Sequence, residues 1–281
     1  MKTYIYRIKT LSNLHVGNGE VNMGVIDNLV QRDGITGFPI INASSLKGAL
    51  RDKFREYIKE TGKENLKSLV EYVFGNEINN KNSAKSAHKV GAYRFFEARI
   101  LSMPVRSDKC PFFMATCPFL LKDFVDTLRL FNVECQNLDN YAISDDELSE
   151  PQVSCEVYAG ARIEDIVKKT VYRKDVTLPE FLERPVLLSD SDFSRLCDDD
   201  HLPIVARNQL DNGESRNLWY EQVVPRFTYM YFALMVPEGD SRFSEFNEVL
   251  DGSLVQIGGN ATVGNGICKI DYICNNKRPV L

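Results

Sequence analysis

Residues 14–51 read LHVGNGEVNMGVIDNLVQRDGITGFPIINASSLKGALR, and this stretch decides the fold. Gly17, Gly19, Gly24, Gly34 and Gly37 space out a long loop that carries one carboxylate, Asp27. The short extended piece Phe38-Pro39-Ile40-Ile41 then leads into a helix for which Ser44 is the N-cap candidate. Leu46, Leu50, Phe54 and Tyr57 or Ile58 supply the apolar stripe of that helix. Lys47, Arg51, Arg55 and Lys59 follow at i+4 steps, drifting only about 40° per step, so they form one basic ridge away from the stripe. A helix start carries free N–H groups and partial positive charge, which Ser44, Ser45 and Lys47 reinforce as an anion site. The other reading of the ridge is a solvated face paired with Asp52, Glu56 and Glu60, with Lys59 as surface decoration.

Working outward, Thr3–Leu11 alternates as a strand, with Tyr4, Tyr6 and Ile8 on one face and Ile5, Arg7 and Lys9 on the other. A second helix is expected over Glu64–Phe74, ended by Gly75, and 76–91 has loop composition. A long strand over Ala92–Val105, a strand at 112–116 and a helix near 118–131 come next. The middle, 135–200, is acidic and mixed, with Asp145–Glu147 and Asp198–Asp200 as solvated runs. Leu202–Arg207 and Leu218–Glu221, around Asp211-Asn212-Gly213, form an extended hairpin. Strand 226–236, a helix near 241–250 and strands flanking Gly258–Gly266 complete one α+β unit with insertions.

Composition excludes several classes. The chain has 281 residues, 43% hydrophobic and 26% charged, and no apolar run reaches the roughly 20 residues that span a bilayer. Seven cysteines without a C-x-x-C pattern argue against a disulfide framework or a zinc knuckle and for reduced thiols in the cytoplasm. The net charge of −5 hides an asymmetry: residues 1–110 hold 18 Lys+Arg and 11 Asp+Glu, and the remainder 16 and 28. Such a chain can present one side to a polyanion, or join copies of itself head to tail.

The chemistry-bearing candidates are few. Asp27 can hold a divalent cation with substrate phosphates completing its shell, or position a ribose 2′-hydroxyl; it can also simply form a turn. His15 stands at the mouth of the same loop as an acid, a base or a phosphate donor, or as a histidine bonded to a strand end. His88 and His201 lack companion ligands and are expected at the surface. The 256–266 segment, rich in glycine at 258, 259, 264 and 266, lets backbone approach a phosphate or another chain. Arg207, Arg216, Trp219 and Tyr220, with Glu221 at the base, arm the hairpin to wedge between stacked bases, unless Trp219 packs into the core.

Four blocks together resemble the RAMP superfamily of CRISPR proteins, over nearly the whole length: 14–51 above, YRFFEARILSMPVRS at 93–107, LWYEQVVP at 218–225 and VQIGGNATVGNGI at 255–267. The middle two and the chain length look most like the repeated backbone ribonuclease subunit of type III-B (Cmr) effector complexes. The resemblance implies a single RAMP domain over 1–281: an RNA-recognition-like (ferredoxin-like) palm, a helical fingers insertion at about 44–91 and a β-hairpin thumb at about 203–222. It implies copies stacked head to tail on CRISPR RNA beside other Cmr-type subunits, with no membrane partner. Each thumb distorts the guide–target duplex, and each copy cuts target RNA there with a divalent metal, Mg or Mn, through the first-loop acid, here Asp27. Ser44, Ser45, Lys47 and Arg51, the glycines Gly258, Gly259, Gly264 and Gly266, and Arg207 and Trp219 fall on its RNA-binding positions. Glu221 and His15 stand as accessory catalytic candidates, and the loop glycines as what lets Asp27 move onto the distorted strand. One departure is plain: where the family often has two acids and an aromatic after Trp-Tyr, this chain has Glu221, Gln222 and Val223. Three alternatives remain at this stage. They are the type III-A (Csm) backbone subunit, generally shorter and without the Trp-Tyr-Glu block; a non-catalytic RNA-coating scaffold; and a processing endonuclease working through His15.

Overall fold

Lys2–Thr10 forms β1, and both of its edges are paired because it lies inside the sheet. Tyr6 and Ile8 face one hydrophobic layer and Ile5 the other, as the alternation requires. The structure is a computed structural model that describes residues 1–19, 24–76, 90–133 and 148–273. His88, Cys135, Cys274, the run 145–147 and most of the 76–91 loop fall outside the described residues.

After β1 the chain runs through β2 (Ile40–Ile41), α1 (Ala43–Thr61), α2 (Leu66–Phe74), β3 (Arg94–Phe95), β4 (Ala98–Val105), β5 (Phe113–Thr116) and α3 (Pro118–Leu130). Short strands β6 (Gln152–Val153), β7 (Arg162–Ile163), β8 (Lys168–Lys169), β9 (Val171–Tyr172) and β10 (Pro185–Leu187) lead to α4 (Asp190–Cys197). The hairpin β11 (Ile204–Asp211) and β12 (Glu214–Gln222) precedes β13 (Tyr229–Val236), α5 (Phe243–Leu250), β14 (Ser253–Gln256) and β15 (Ile267–Ile273). The main sheet is mixed, in the order β14-β15-β1-β13-β4-β5-β10-β6-β9. Its centre, β15-β1-β13-β4, is antiparallel throughout.

Helices cover both faces. The stripe Leu46, Leu50, Phe54 and Ile58 of α1 is buried, and Phe54 stacks on Phe246 of α5 at 4.9 Å between ring centroids. These helices lie on the Tyr6 side of the sheet, where Tyr6 stacks on Phe232 at 5.2 Å. On the other side α3 inserts Leu121, Phe124 and Leu128 against Ile5, Leu101, Tyr231 and Ala233. Burying a leucine or phenylalanine of this kind stabilises by about 1.5–3 kcal/mol, so the stripes decide the layering.

Two expectations need correction. The strand expected over Ala92–Val105 is two, β3 and β4. Leu234 pairs with Phe95 and Tyr231 with Arg99, so one side holds an extra residue and the strand breaks as at a bulge. The first helix starts at Ala43 with Asn42 as N-cap, which places Ser44 inside the first turn. Asp199 lies in the run expected to be solvated, stays exposed, and also pairs with Arg32 at 2.9 Å.

The hairpin is its own two-stranded sheet. Asn212 and Gly213 have φ of 50° and 87°, the left-handed pair that a two-residue turn demands. Burial along β12 runs from exposed at the tip to buried at Glu221 and Gln222, so the hairpin projects from the body and is anchored at its foot.

Candidate active site

The site is built on one edge of β12. In a strand, residues i and i+2 offer their N–H and C=O to the same side, and Tyr220 and Gln222 offer theirs to the first loop. Tyr220 O accepts from Asp27 N at 3.1 Å and Asn28 N at 3.2 Å, and Gln222 N donates to Asn28 O at 2.9 Å. Tyr220 N donates to Asp27 Oδ2 at 2.8 Å. Asp27 is exposed, and its Oδ1 has no partner among the described residues. Ile26 beside it is buried at 8% exposure and anchors the segment. Around Asp27 the first loop is thus bonded to the hairpin foot.

His15 hangs on the same edge. Its Nδ1 lies 2.7 Å from Gln222 O; a carbonyl only accepts, so Nδ1 carries the proton and Nε2 is the open nitrogen. Asp27 and His15 are thus pinned to positions two residues apart, about 7 Å along the strand. His15 O accepts from Gly259 N at 2.9 Å. Gly258, at φ 78°, runs so close that a Cβ there would stand 2.2 Å from His15 O. Gly266, also at φ 78°, would put a Cβ 2.0 Å from Ile257 O. These two glycines allow the chain's own close packing. Gly264, at φ 81°, faces open space, and Gly259 has only ordinary contacts with His15.

Glu221 occupies the opposite face of β12 with Trp219. Its carboxylate takes Trp219 Nε1 at 2.8 Å on one oxygen, and Arg207 Nε at 3.1 Å and Asn260 Nδ2 at 2.7 Å on the other. Burial alone raises its pKa, but the Trp219 and Arg207 hydrogen bonds and the charges of His15 and Arg207 outweigh that and hold it below the ordinary carboxylate value. A carboxylate so occupied is a poor proton acceptor. Its geometry is that of a brace between hairpin and glycine turn. Arg207 joins that brace through Nε. Trp219 is half-buried and tethered, neither a core residue nor a free wedge.

The helix start meets the same loop. Gln31 Oε1 accepts from Asn42 N at 2.8 Å, while its Nε2 donates to Ser45 Oγ at 3.1 Å and Gly17 O at 3.2 Å. Gln31 thus ties the N-cap residue to the loop, while no side chain caps the first turn and Ser44 is exposed. Lys47 is half-buried, its Nζ 5.9 Å from the Phe95 ring centroid, and has no carboxylate partner among the described residues. Burial first, and then the Arg51 charge, lower its pKa. Arg51 turns inward, donating to Phe74 O at 2.7 Å at the end of α2. Further out, Arg55 pairs with Asp52 and Lys59 is exposed.

The structure therefore brings Asp27, His15, Glu221, Arg207, Trp219, Gly258 and Gly259 to the hairpin foot, while Arg51 bonds to the end of α2. His201 is exposed. Sequence reasoning missed Gln31, Arg32, Asp199, Gln222 and Asn260. Amide side chains that satisfy buried backbone carry no spacing signal; only the unusual Gln222 pointed to one of them. Among the described residues no three His, Cys, Asp or Glu side chains gather to hold a metal, and no helix is long and apolar enough to cross a membrane.

Fold and site define an α+β protein with an acid-bearing loop seated on a projecting hairpin, and comparison places it. The RAMP superfamily model matches residues 7–269. The chain is 31% identical, over 96% of its length and 95% of the relative's, to the CRISPR system Cmr endoribonuclease Cmr4 of Pyrococcus furiosus. It belongs to the RAMP superfamily and, within it, to the Cmr4 family. Solved structures share the fold. A chain of the type III-B Cmr-beta complex bound to cognate target RNA superposes with a TM-score of 0.76 at 22% identity, covering 97% of each chain. Oligomeric Cmr4 from Pyrococcus furiosus gives 0.66 at 23% identity, covering 98% of this chain and all of that one.

Proposed function

We propose that this chain is the repeated backbone subunit of a type III-B RNA-guided effector complex, holding CRISPR RNA and cutting the paired target RNA. The observation that carries the reading is Asp27: one oxygen is fixed by the hairpin foot and the other is open to solvent. The near full-length relative named an endoribonuclease supports it. The order β15-β1-β13-β4, with α1 and α5 packed on one face, is that of a ferredoxin-like palm; α1 and α2 serve as fingers and β11–β12 as thumb. The basic N-terminal part and acidic remainder suit copies stacked head to tail, with other Cmr-type subunits at the ends.

RNA brings its own nucleophile, the 2′-hydroxyl, so the protein's work is geometry and charge. Asp27 Oδ1 orients that hydroxyl or takes its proton, and a thumb that unstacks one base frees the backbone to reach in-line geometry. Asp27 fits a metal as a single hard-oxygen ligand, with RNA phosphates and water completing the shell; bound there, Mg or Mn would offset phosphate charge. His15, buried at 8% exposure and bonded to the same edge through Nδ1, serves as a second proton-handling group. The open Oδ1 favours this reading over a non-catalytic scaffold.

The test is a reconstituted complex given end-labelled target RNA, with and without EDTA. Products at regular intervals, lost on chelation and in Asp27→Asn, are expected. Intact target under all conditions would return the chain to the scaffold role.

A further inference from the structure

Gln222 stands where the chain departs from its family's pattern, and it is fully buried. Every polar group it has is engaged. Its backbone N–H donates to Asn28 O at 2.9 Å, and its backbone O accepts from His15 Nδ1 at 2.7 Å. Side-chain Oε1 accepts from Val30 N and from Arg32 Nη2, each at 3.3 Å. Nε2 donates to Asp199 O at 3.2 Å and reaches Asp199 Oδ1 at 3.4 Å. Arg32 closes the ring, with Nη2 2.9 Å from Asp199 Oδ1 and Nη1 donating to Cys197 O at 2.6 Å and Gly37 O at 2.7 Å.

We infer that Gln222, braced by Arg32 and Asp199, is the positioning residue for Asp27, and that it must be a neutral amide because Asp199 already supplies the negative charge Arg32 needs. The inference rests on the reading of Asp27 given above. Asp27 is exposed, and its side chain makes one bond to the hairpin, to Tyr220 N. A single solvent-exposed bond is a weak hold on register, since water competes for it. The clasp two residues along β12 holds by number: Gln222 is fully buried, Arg32 is half-buried, and Asp199 closes the ring from the surface, each bonded to the next. It fixes Val30 and Asn28, and so the loop between them and Asp27. A carboxylate at 222 would still accept from Val30 and Arg32. Its second oxygen, however, would face Asp199 O and Oδ1, two acceptors with no proton between them. The charged and titratable groups around the position are Arg32, Asp199 and, through the backbone, His15; Glu221 points to the other face of the strand.

The experiment uses the assembled complex, with single-turnover cleavage and RNA binding measured in parallel. Gln222→Glu is expected to slow cleavage about a hundredfold at about pH 8, as a misplacement near 1 Å does, with guide and target affinity within about twofold of the parent. A buried carboxyl facing Asp199 takes up a proton readily, and its O–H can then donate to Asp199 as the amide did. The rate relative to the parent should therefore climb as pH falls toward about 6, and Asp199→Asn added to Gln222→Glu should recover part of the loss at high pH. Gln222→Met, similar in volume and without polar atoms, should be slow at every pH. A Gln222→Glu rate equal to the parent, or a ratio that does not move with pH, overturns the inference. So does a loss in Gln222→Met that only tracks weaker RNA binding. Asp27→Asn is run alongside. Cleavage by it would defeat the reading of Asp27 itself, whereas an inactive Asp27→Asn beside a flat Gln222→Glu ratio defeats only the positioning role.

Discussion

Tyr220 and Asp27 are joined in both directions: Tyr220 N donates to Asp27 Oδ2 at 2.8 Å, and Asp27 N donates to Tyr220 O at 3.1 Å. The acid of the first loop is therefore indexed to the foot of the hairpin, 193 residues away in sequence. Whatever the hairpin tip does to a bound strand, the carboxylate keeps its place relative to that foot.

Replacing Asp27 by Asn keeps an oxygen for Tyr220 N and removes the charge. Target cleavage should fall by about 10²–10⁴, the usual worth of a positioned general base. Guide binding and assembly should not change, since no buried contact is lost. Gel-resolved single-turnover rates and size-exclusion profiles check both halves. Loss of guide binding would make Asp27 a structural residue.

Glu221 predicts a pH-dependent stability. Its pKa is lowered on folding, so its contribution is whole above the ordinary carboxylate value of about 4.3 and is lost as pH falls through the lower folded value. Glu221→Ala strands Arg207, Trp219 and Asn260 and should cost about 3 kcal/mol at neutral pH. Urea unfolding of parent and variant should converge as pH drops below the lowered folded value. A difference that persists there, or none at neutral pH, would show that the brace does not contribute.

How far the sequence carried depends on what each residue answers to. Leu46, Leu50, Phe54 and Ile58 obey a helical period set by burial, so α1 was legible, its N-cap two residues from where it was expected. Asn212-Gly213 obeys backbone sterics, and the hairpin turn lay where expected. Short strands β6 to β10 were not legible, because two or three residues hold no period and are fixed by their neighbours in the sheet. In the site, Asp27 and His15 were found by residue type. That Arg207 and Arg51 turn inward to Glu221 and Phe74 O could not be read, since a cation on an amphipathic element looks the same whether its partner is solvent, protein or RNA.

Gly258 and Gly264 make a controlled pair. Both have left-handed φ, near 80°, so alanine strains either by about 1 kcal/mol. Only at Gly258 does the new Cβ meet backbone, at 2.2 Å from His15 O, which adds overpacking of about 1–3 kcal/mol and displaces His15. Thermal unfolding should rank Gly258→Ala well below Gly264→Ala, and only the former should also reduce cleavage. Equal melting temperatures would mean that the turn relaxes away from His15.

Lys47 and Arg51 lie one helical turn apart and should fail differently. Lys47 has no carboxylate partner among the described residues, and burial and Arg51 already disfavour its charge. An RNA phosphate beside it would restore the charged form, so binding and protonation reinforce each other. Lys47→Gln should weaken guide binding without regard to sequence. It should also lower the slope of log affinity against log salt by about 0.7, the single-strand value for one phosphate contact. Its stability should stay near that of the parent. Arg51→Ala should instead lower the melting temperature, because it uncaps Phe74 O at the end of α2, and should leave the salt slope nearly unchanged. Fluorescence anisotropy of labelled guide across a salt series, with melting curves for both variants, separates the two. If the slope fell for Arg51→Ala and held for Lys47→Gln, the guide contact would belong to the other residue.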